Sequence, residues 1–165
     1  MTEETCPPVS VSRTIGAPAE KLFGILASPA AHPLIDGSGM LREATSAAVL
    51  TGVGDVFTMT MHNAEMGDYE MSNCVVQYEL NRQIGWDPLL KAASREEDQA
   101  EVGQQEPAQR WTFDLLPLDS GATLVTETYD VSRGPAWLRK AVRGGERWRE
   151  SMTITLEKLD ALSGA

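Results

Sequence analysis

Cysteine and histidine are scarce in this sequence, which limits its redox and metal chemistry. There are two cysteines, Cys6 and Cys74, and two histidines, His32 and His62. Two such cysteines make no disulfide framework, so we expect free thiols, with Cys74 as a small core residue of its strand. The histidines lie far apart and have no Cys or Glu at ligand spacing, so no metal site is predicted.

Long apolar runs and excess positive charge are also missing. No run reaches the ~18 apolar residues that span a bilayer. The acidic start, Met1-Thr2-Glu3-Glu4, is unlike a signal peptide. A net charge of −10 disfavours nucleic acid and anionic membranes as partners. We therefore expect a cytoplasmic protein without stable membrane association.

Basic residues nevertheless cluster near the end of the chain. They are Arg133, Arg139, Lys140, Arg143, Arg147 and Arg149. We interpret them as a solvated face that offsets the acidic remainder. The alternative is a positive rim that attracts an anionic ligand.

The last segment, Pro135 to about Leu162, has the pattern of one long amphipathic helix. Leu138, Met152 and Leu159 belong to a stripe with seven-residue spacing. At ~1.5 Å per residue such a helix would be about 40 Å long. To bury its stripe it must lie across a sheet. The pair 144–145 is Gly-Gly, which we interpret as a kink or a close approach to the sheet, or alternatively as room for a ligand.

The rest of the chain alternates apolar and polar residues in short runs, as strands do. Strand patterns cover 9–15, 40–49 (weakly), 55–62, 68–79, a strand beginning at 84, 110–116 and 122–131. Helical spacing covers 19–26 and 30–35, and residues 88–109 are predicted to form a long loop. Short turns between strands favour an antiparallel meander in one domain, 1–165, so the predicted fold class is α+β. The sequence leaves two questions about strand faces open. In strand 68–79, either a bulge near Ser72-Asn73 shifts the alternation or one set of apolar residues faces outward. In strand 122–131, either face could be the core side.

Several of these segments together resemble the START-like, helix-grip superfamily often labelled SRPBCC, including its polyketide cyclase/dehydrase-like branch. The resemblance lies in Ile15-x-Ala17-Pro18-Ala19-Glu20-Lys21-Leu22-Phe23, Gly54-x-x-Phe57, Arg82-x-x-x-Trp86, the segment Gly121 to Asp130, and the terminal helix. It covers nearly the whole chain. It implies a curved antiparallel sheet of about seven strands wrapped around a long C-terminal helix, with two short helices after the first strand. It also implies a hollow that binds hydrophobic or polycyclic small molecules, but it carries no catalytic set.

Large, soft side chains on the predicted inner faces are the candidate ligand-binding residues. They suit an adaptable apolar cavity with aromatic walls, although core packing alone would explain each of them. They are Phe57, Met59, Met61, Tyr69, Met71, Trp86, Trp111, Phe113, Trp137, Trp148 and Met152. We expect Trp148 and Met152 on the inner side of the final helix, opposite Met59, Met61 and Trp111.

Four polar residues are candidates for acid/base chemistry: His32, Asp36, Tyr69 and Glu127. His32 and Asp36 would be neighbours on a helix. The alternative for Asp36 is a capping role in the turn before Gly37. If Glu127 points inward, it needs a cationic partner or must be protonated.

Three classes of function follow. The first is a carrier or sensor that binds an apolar or aromatic small molecule and needs no cofactor. The second is a cyclase- or dehydratase-type enzyme that uses the four polar residues in the same cavity. The third is a protein that modulates a partner through an exposed apolar patch. A homodimer is compatible with each.

Overall fold

A computed structural model describes residues 6–45, 48–65, 67–90 and 108–164, and for Leu90 the backbone alone. Within these residues the chain forms seven strands, four α-helices and a short 3₁₀ helix, Pro29–Ala31. The strands are β1 Val9–Ile15, β2 Leu41–Ala44, β3 Val56–Asn63, β4 Gly67–Glu79, β5 Gln83–Leu90, β6 Arg110–Pro117 and β7 Thr123–Asp130. The α-helices are α1 Ala19–Leu26, α2 His32–Ile35, α3 Ala136–Val142 and α4 Glu146–Ser163.

The strands form one curved antiparallel sheet in the order β1-β7-β6-β5-β4-β3-β2. After β1, the first helices carry the chain to the far edge of the sheet. The chain then returns strand by strand until β7 pairs with β1. This is the α+β, helix-grip-like architecture that the sequence predicts.

The two faces of the sheet differ in polarity. The inner face, turned toward the helices, is mostly apolar, and Val75, Ile84 and Val125 on it are completely buried. The outer face carries hydroxyl ladders, such as Ser10 with Thr128 and Ser12 with Thr126. Alternation with period two produces this division.

Helix α4 lies on β1 and β7 and buries one stripe. Met152, Leu156 and Leu159 are at most 1% exposed on that stripe. Arg13 of β1 and Asp160 of α4 form an ion pair at the edge, with 2.9 Å between Nε and Oδ2. The helical period in the sequence therefore located the buried side of α4 correctly.

The long C-terminal helix is present as α4, but the prediction that one helix runs from Pro135 to about Leu162 is wrong. The chain breaks between α3 and α4, where Gly144 and Gly145 adopt φ values of +86° and +65°. A right-handed helix cannot continue through two left-handed residues. At ~1.5 Å per residue, the 18 residues of α4 span about 27 Å.

Two basic side chains from the predicted cluster bind backbone carbonyls beside these helices. The Arg139 guanidinium donates to the carbonyl of Gly134, which precedes α3, and that of Arg149 donates to the carbonyl of Gly144 at the break. Carbonyls beyond the last turn of a helix lack intrahelical partners, so Arg149 satisfies one of them. Part of the basic cluster therefore has a structural role.

Strand β5 corrects the predicted boundary of the loop 88–109. It continues through Pro88 to Leu90, whereas residues 91–107 of that loop lie outside the described part of the chain. Pro88 pairs with Asn73 of β4, while the pairing of β5 with β6 ends at Trp86. Proline is tolerated there because, among the described strands, only β4 pairs with this end of β5.

Strand β4 contains the expected bulge, but at a different position. The register shifts between Val75 and Gln77, rather than near Ser72-Asn73. Tyr69 and Met71 before the shift therefore share the inner face with Tyr78 after it.

Both cysteines are free. Cys6 is buried against Val9, Tyr129 and Met152. Cys74 is half-buried and pairs with Asp87 on the outer face, so the prediction that it belongs to the core is wrong. No helix of the described residues is long and apolar enough to cross a membrane.

Candidate functional site

The inner face of the sheet gathers most of the soft side chains that the sequence nominated. Strand register explains this, because residues paired across antiparallel strands point to the same side. Met59 pairs with Met71, and Met61 pairs with Tyr69. Trp86 pairs with Trp111 across β5 and β6.

One part of this set is a closed wall. It consists of Phe57, Met59, Trp86, Phe113 and Met152, each at most 9% exposed. Trp86 packs edge-on against Phe57, with 5.4 Å between centroids, and at 5.8 Å from Phe113. These side chains form core contacts of the kind that aromatic packing favours.

The other part is only half-buried. We call it the inner apolar patch, and it comprises Met61, Tyr69, Met71, Trp111 and Trp148. Tyr129 connects two of its members, since it stacks on Trp111 at 4.1 Å and lies parallel to Trp148 at 6.3 Å. The patch therefore combines thioether and aromatic surface that retains contact with solvent.

Two predicted positions differ from the structure. Trp137 is 72% exposed on α3, so its predicted inward position is wrong. This exposure of Trp137 results from the helix break, because α3 does not continue the buried stripe of α4. Trp148 and Met152 do lie on the inner side of α4 and share a cluster with Trp111, but Met59 and Met61 belong to the other cluster of the core.

His32 is buried between two aromatic rings. Its imidazole stacks on Trp86 at 5.1 Å and meets Phe57 edge-on at 5.3 Å. Nε2 lies 2.7 Å from the carbonyl oxygen of Leu26, so Nε2 carries the proton. Burial lowers the pKa of His32 from 6.5 to about 4, and the hydrogen bond to Leu26 opposes this only in part.

Asp36 takes the capping role rather than that of an acid/base partner of His32. Its Oδ1 accepts from the backbone N–H and the hydroxyl of Ser38, at 3.0 and 2.7 Å. Its Oδ2 accepts from the N–H of Leu41 at 3.1 Å. The turn that follows α2 is therefore built around this carboxylate.

Glu127 points inward and is 4% exposed. Its Oε2 is buried without a hydrogen-bond partner in the described part of the chain. Burial, and then the charge of Asp36, raise its pKa well above the usual value, which favours the protonated, neutral form of the carboxyl.

Tyr69 lies on β4, three strands away from Glu127 on β7. Burial raises its pKa, and a hydrogen bond with the side chain of Asn63 opposes that effect. Of the four acid/base candidates, Glu127 is thus the one with a buried and unpaired oxygen.

Sequence reasoning missed two features. Tyr129 joins Trp111 to Trp148, and its hydroxyl donates to Oε1 of Gln109 at 2.6 Å. Its alternation with Val125 and Glu127 was visible in the sequence, but which side of β7 faced the core was not. On the outer face, Asp87 is 2% exposed and accepts two hydrogen bonds from Arg110, at 2.7 and 3.0 Å.

Within the described residues, no group of three or more His, Cys, Asp or Glu side chains is placed to hold a metal ion.

Comparisons with known proteins concern the fold. No protein-family model matches the chain. The uncharacterised protein Rv0088 of Mycobacterium tuberculosis is 29% identical over 122 residues, which cover 74% of this chain and 46% of that protein. The chain thus spans about half the length of this curated relative.

Solved structures resemble the chain over nearly its whole length. Protein MLL2253 from Mesorhizobium loti has a TM-score of 0.62 and 22% identity, covering 94% of this chain and 96% of that one. Protein CV1439 from Chromobacterium violaceum has a TM-score of 0.64 and 15% identity, with the same coverage. A protein from Arthrobacter aurescens has a TM-score of 0.67 and 15% identity, covering 96% and 87%. The chain therefore shares the α+β fold of these proteins, a curved antiparallel sheet packed against helices.

Proposed function

We propose that the chain is a member of the START-like helix-grip superfamily and binds an apolar or aromatic small molecule as a cytoplasmic carrier or sensor. The ligand would contact the inner apolar patch, whose residues are supplied by β3, β4, β6 and α4. The single observation that carries this proposal is the half-buried state of that patch. Large soft side chains that keep contact with solvent beside a closed core are typical of ligand-binding surfaces.

The arrangement of the patch supports the choice of ligand. Met61 and Met71 are flexible and polarisable, and they adapt to irregular apolar shapes. Trp111 and Trp148 supply flat surfaces on which an aromatic ring can stack. The contacts that a ligand would make here are therefore mainly dispersion and burial of apolar area.

Binding is favoured over the cyclase- or dehydratase-type alternative by the state of the polar candidates. Acid/base catalysis needs at least two groups within hydrogen-bond reach of one point. The Asp36 carboxylate is occupied by Ser38 and Leu41. His32 donates to Leu26, and Tyr69 lies on a different strand from Glu127.

Calorimetric titration with an uncharged aromatic probe, 2-ethylnaphthalene, tests the proposal, together with native mass spectrometry of gently purified protein. We expect the wild type to bind the probe. Met71→Lys places a charge on the patch and should weaken binding by at least about tenfold, because an apolar ligand would have to cover the ammonium and remove its water.

Ser72→Lys is the matched control, since Ser72 adjoins Met71 on β4 but points to the outer face, where it pairs with Thr58. We expect this variant to bind like the wild type. Absence of binding by the wild type, together with empty protein in the mass spectrum, would refute the proposal. Equal binding by both lysine variants would place the ligand elsewhere.

A further inference from the structure

The buried carboxyl of Glu127 has an oxygen, Oε2, that forms no hydrogen bond within the described part of the chain. It lies in the middle of β7, where its register partners are Val11 on β1 and Phe113 on β6. Along its own strand, the neighbours on the inner face are Val125 and Tyr129. Since the Tyr129 hydroxyl already donates to Gln109, the sheet provides no hydrogen bond for Oε2.

The helical layer provides no partner either. Met152 and Leu156 are apolar, and the hydroxyl of Thr155 is already engaged. It donates to the carbonyl of Ser151 at 3.0 Å and accepts from the N–H of Gly37 at 2.9 Å.

The charged groups of these elements are paired in other ways. Arg13 on β1 binds Asp160 on α4, and the ammonium group of Lys158 binds the backbone carbonyl of Asp36. The carboxylate of Asp36 repels a negative charge at Glu127. These surroundings favour the protonated carboxyl, which has one O–H donor and one carbonyl acceptor.

Buried polar atoms without a partner are rare in native proteins, and each one calls for an explanation. We propose that Glu127 is the polar anchor of the ligand site and forms a hydrogen bond with a neutral carbonyl or hydroxyl oxygen of an otherwise apolar ligand. This inference rests on the proposed function and narrows it. A ligand with a carboxylate or phosphate would meet both a dry environment and the charge of Asp36, so anionic ligands are excluded.

A matched pair of probes tests the anchor. 2-Acetylnaphthalene and 2-ethylnaphthalene have similar size, but only the first carries a carbonyl oxygen. We expect the wild type to bind the ketone about tenfold more tightly, which is the magnitude of one net hydrogen bond. The anion 2-naphthoate should bind more weakly than either.

Two variants separate the anchor from simple packing. Glu127→Gln keeps a neutral donor and acceptor, so the preference for the ketone should persist. Glu127→Met keeps the length of the side chain but removes both, so the preference should disappear while the hydrocarbon still binds. Infrared spectroscopy provides a second readout, because the carbonyl band of a protonated carboxyl should be absent in Glu127→Gln and should shift in the wild type when the ketone binds.

The outcomes distinguish the two proposals. A ketone preference that persists in Glu127→Met, or no ketone preference in the wild type, would overturn the anchor while leaving apolar binding intact. An unchanged infrared band on ketone binding would also overturn it, even if Glu127→Met fails to fold. Failure of both neutral probes to bind the wild type would overturn the proposed function and the anchor together.

Discussion

Protonation of His32 should destabilise the folded protein in mild acid. The imidazole is 5% exposed, lies between Phe57 and Trp86, and donates from Nε2 to Leu26. A charged ring in that position would lose its hydration without gaining an anionic partner. The folded state therefore favours neutral His32.

The structure sets the size and the pH range of this effect. The pKa of His32 falls from 6.5 in an exposed chain to about 4 in the fold. Well above pH 6.5 the ring is neutral in both states, and the free energy of unfolding does not change with pH through this group. As the pH falls from 6.5 to about 4, the unfolded chain binds the proton first, and stability declines by about 3 kcal/mol. A domain of this kind has ~5–15 kcal/mol in total, so the loss is readily measured.

Urea unfolding, followed by tryptophan fluorescence at a series of pH values, measures this loss. His32→Gln keeps an N–H donor but does not titrate, so its stability should decline less across this range, by about 3 kcal/mol. At neutral pH it should itself be less stable by ~1–3 kcal/mol because the ring contacts are lost. His62→Gln is the control, since His62 is half-exposed beside Asp68 and its removal leaves the burial of His32 unchanged.

Parallel stability curves for the wild type and His32→Gln would refute this reasoning. An independent check is the imidazole titration in NMR spectra. A His32 midpoint near 6.5 would show that the ring is hydrated in the fold. Observation of the Nε2-protonated tautomer would confirm the hydrogen bond to Leu26.

Three further predictions concern stability. Gly37→Ala places a Cβ 2.0 Å from a backbone carbonyl oxygen of α4, so it should lower the free energy of unfolding by ~1–3 kcal/mol or more. Gly24→Ala in α1 is the control, because open space surrounds Gly24, and in thermal melts it should be neutral or stabilising. Arg110→Ala leaves the buried Asp87 carboxylate unpaired and should lower the free energy of unfolding, measured with urea, by ~3–5 kcal/mol. Adding Asp87→Asn should recover part of this stability, because no charge is then buried. A double variant that is no more stable than Arg110→Ala would contradict the ion-pair argument. Because burial raises the pKa of Glu127, the wild type is most stable relative to Glu127→Gln below pH 4.5 and loses that advantage as the pH rises through the raised pKa; a pH-independent difference would show an ionised carboxyl.

Local patterns predicted much of the fold. Period-two alternation identified most strands within one or two residues, and the helical period located the buried side of α4. The turn chemistry of Asp36 before Gly37 also appears as predicted. These features depend on neighbours close in sequence, so the sequence contains them directly.

Other features depend on contacts between distant segments. Whether two glycines bend a helix or end it depends on their φ values, and Gly145 approaches Val9 so closely that an added Cβ would lie 2.7 Å away. Trp137 became exposed for the same reason. The core side of β7 was ambiguous because Thr123 and Glu127 are polar residues that turned inward.

The sequence by itself determined an α+β chain whose strands return antiparallel and whose last helix buries a stripe, because periodicity and turn residues act locally. Only the tertiary structure decided which soft side chains close the core and which stay half-open, because burial depends on what the helices cover. It also decided that His32 and Glu127 are both buried, where the neutral form of each is favoured, and that Asp36 closes a turn instead of joining them. Dehydration of a side chain is a property of the packed protein, and no pattern along the chain records it.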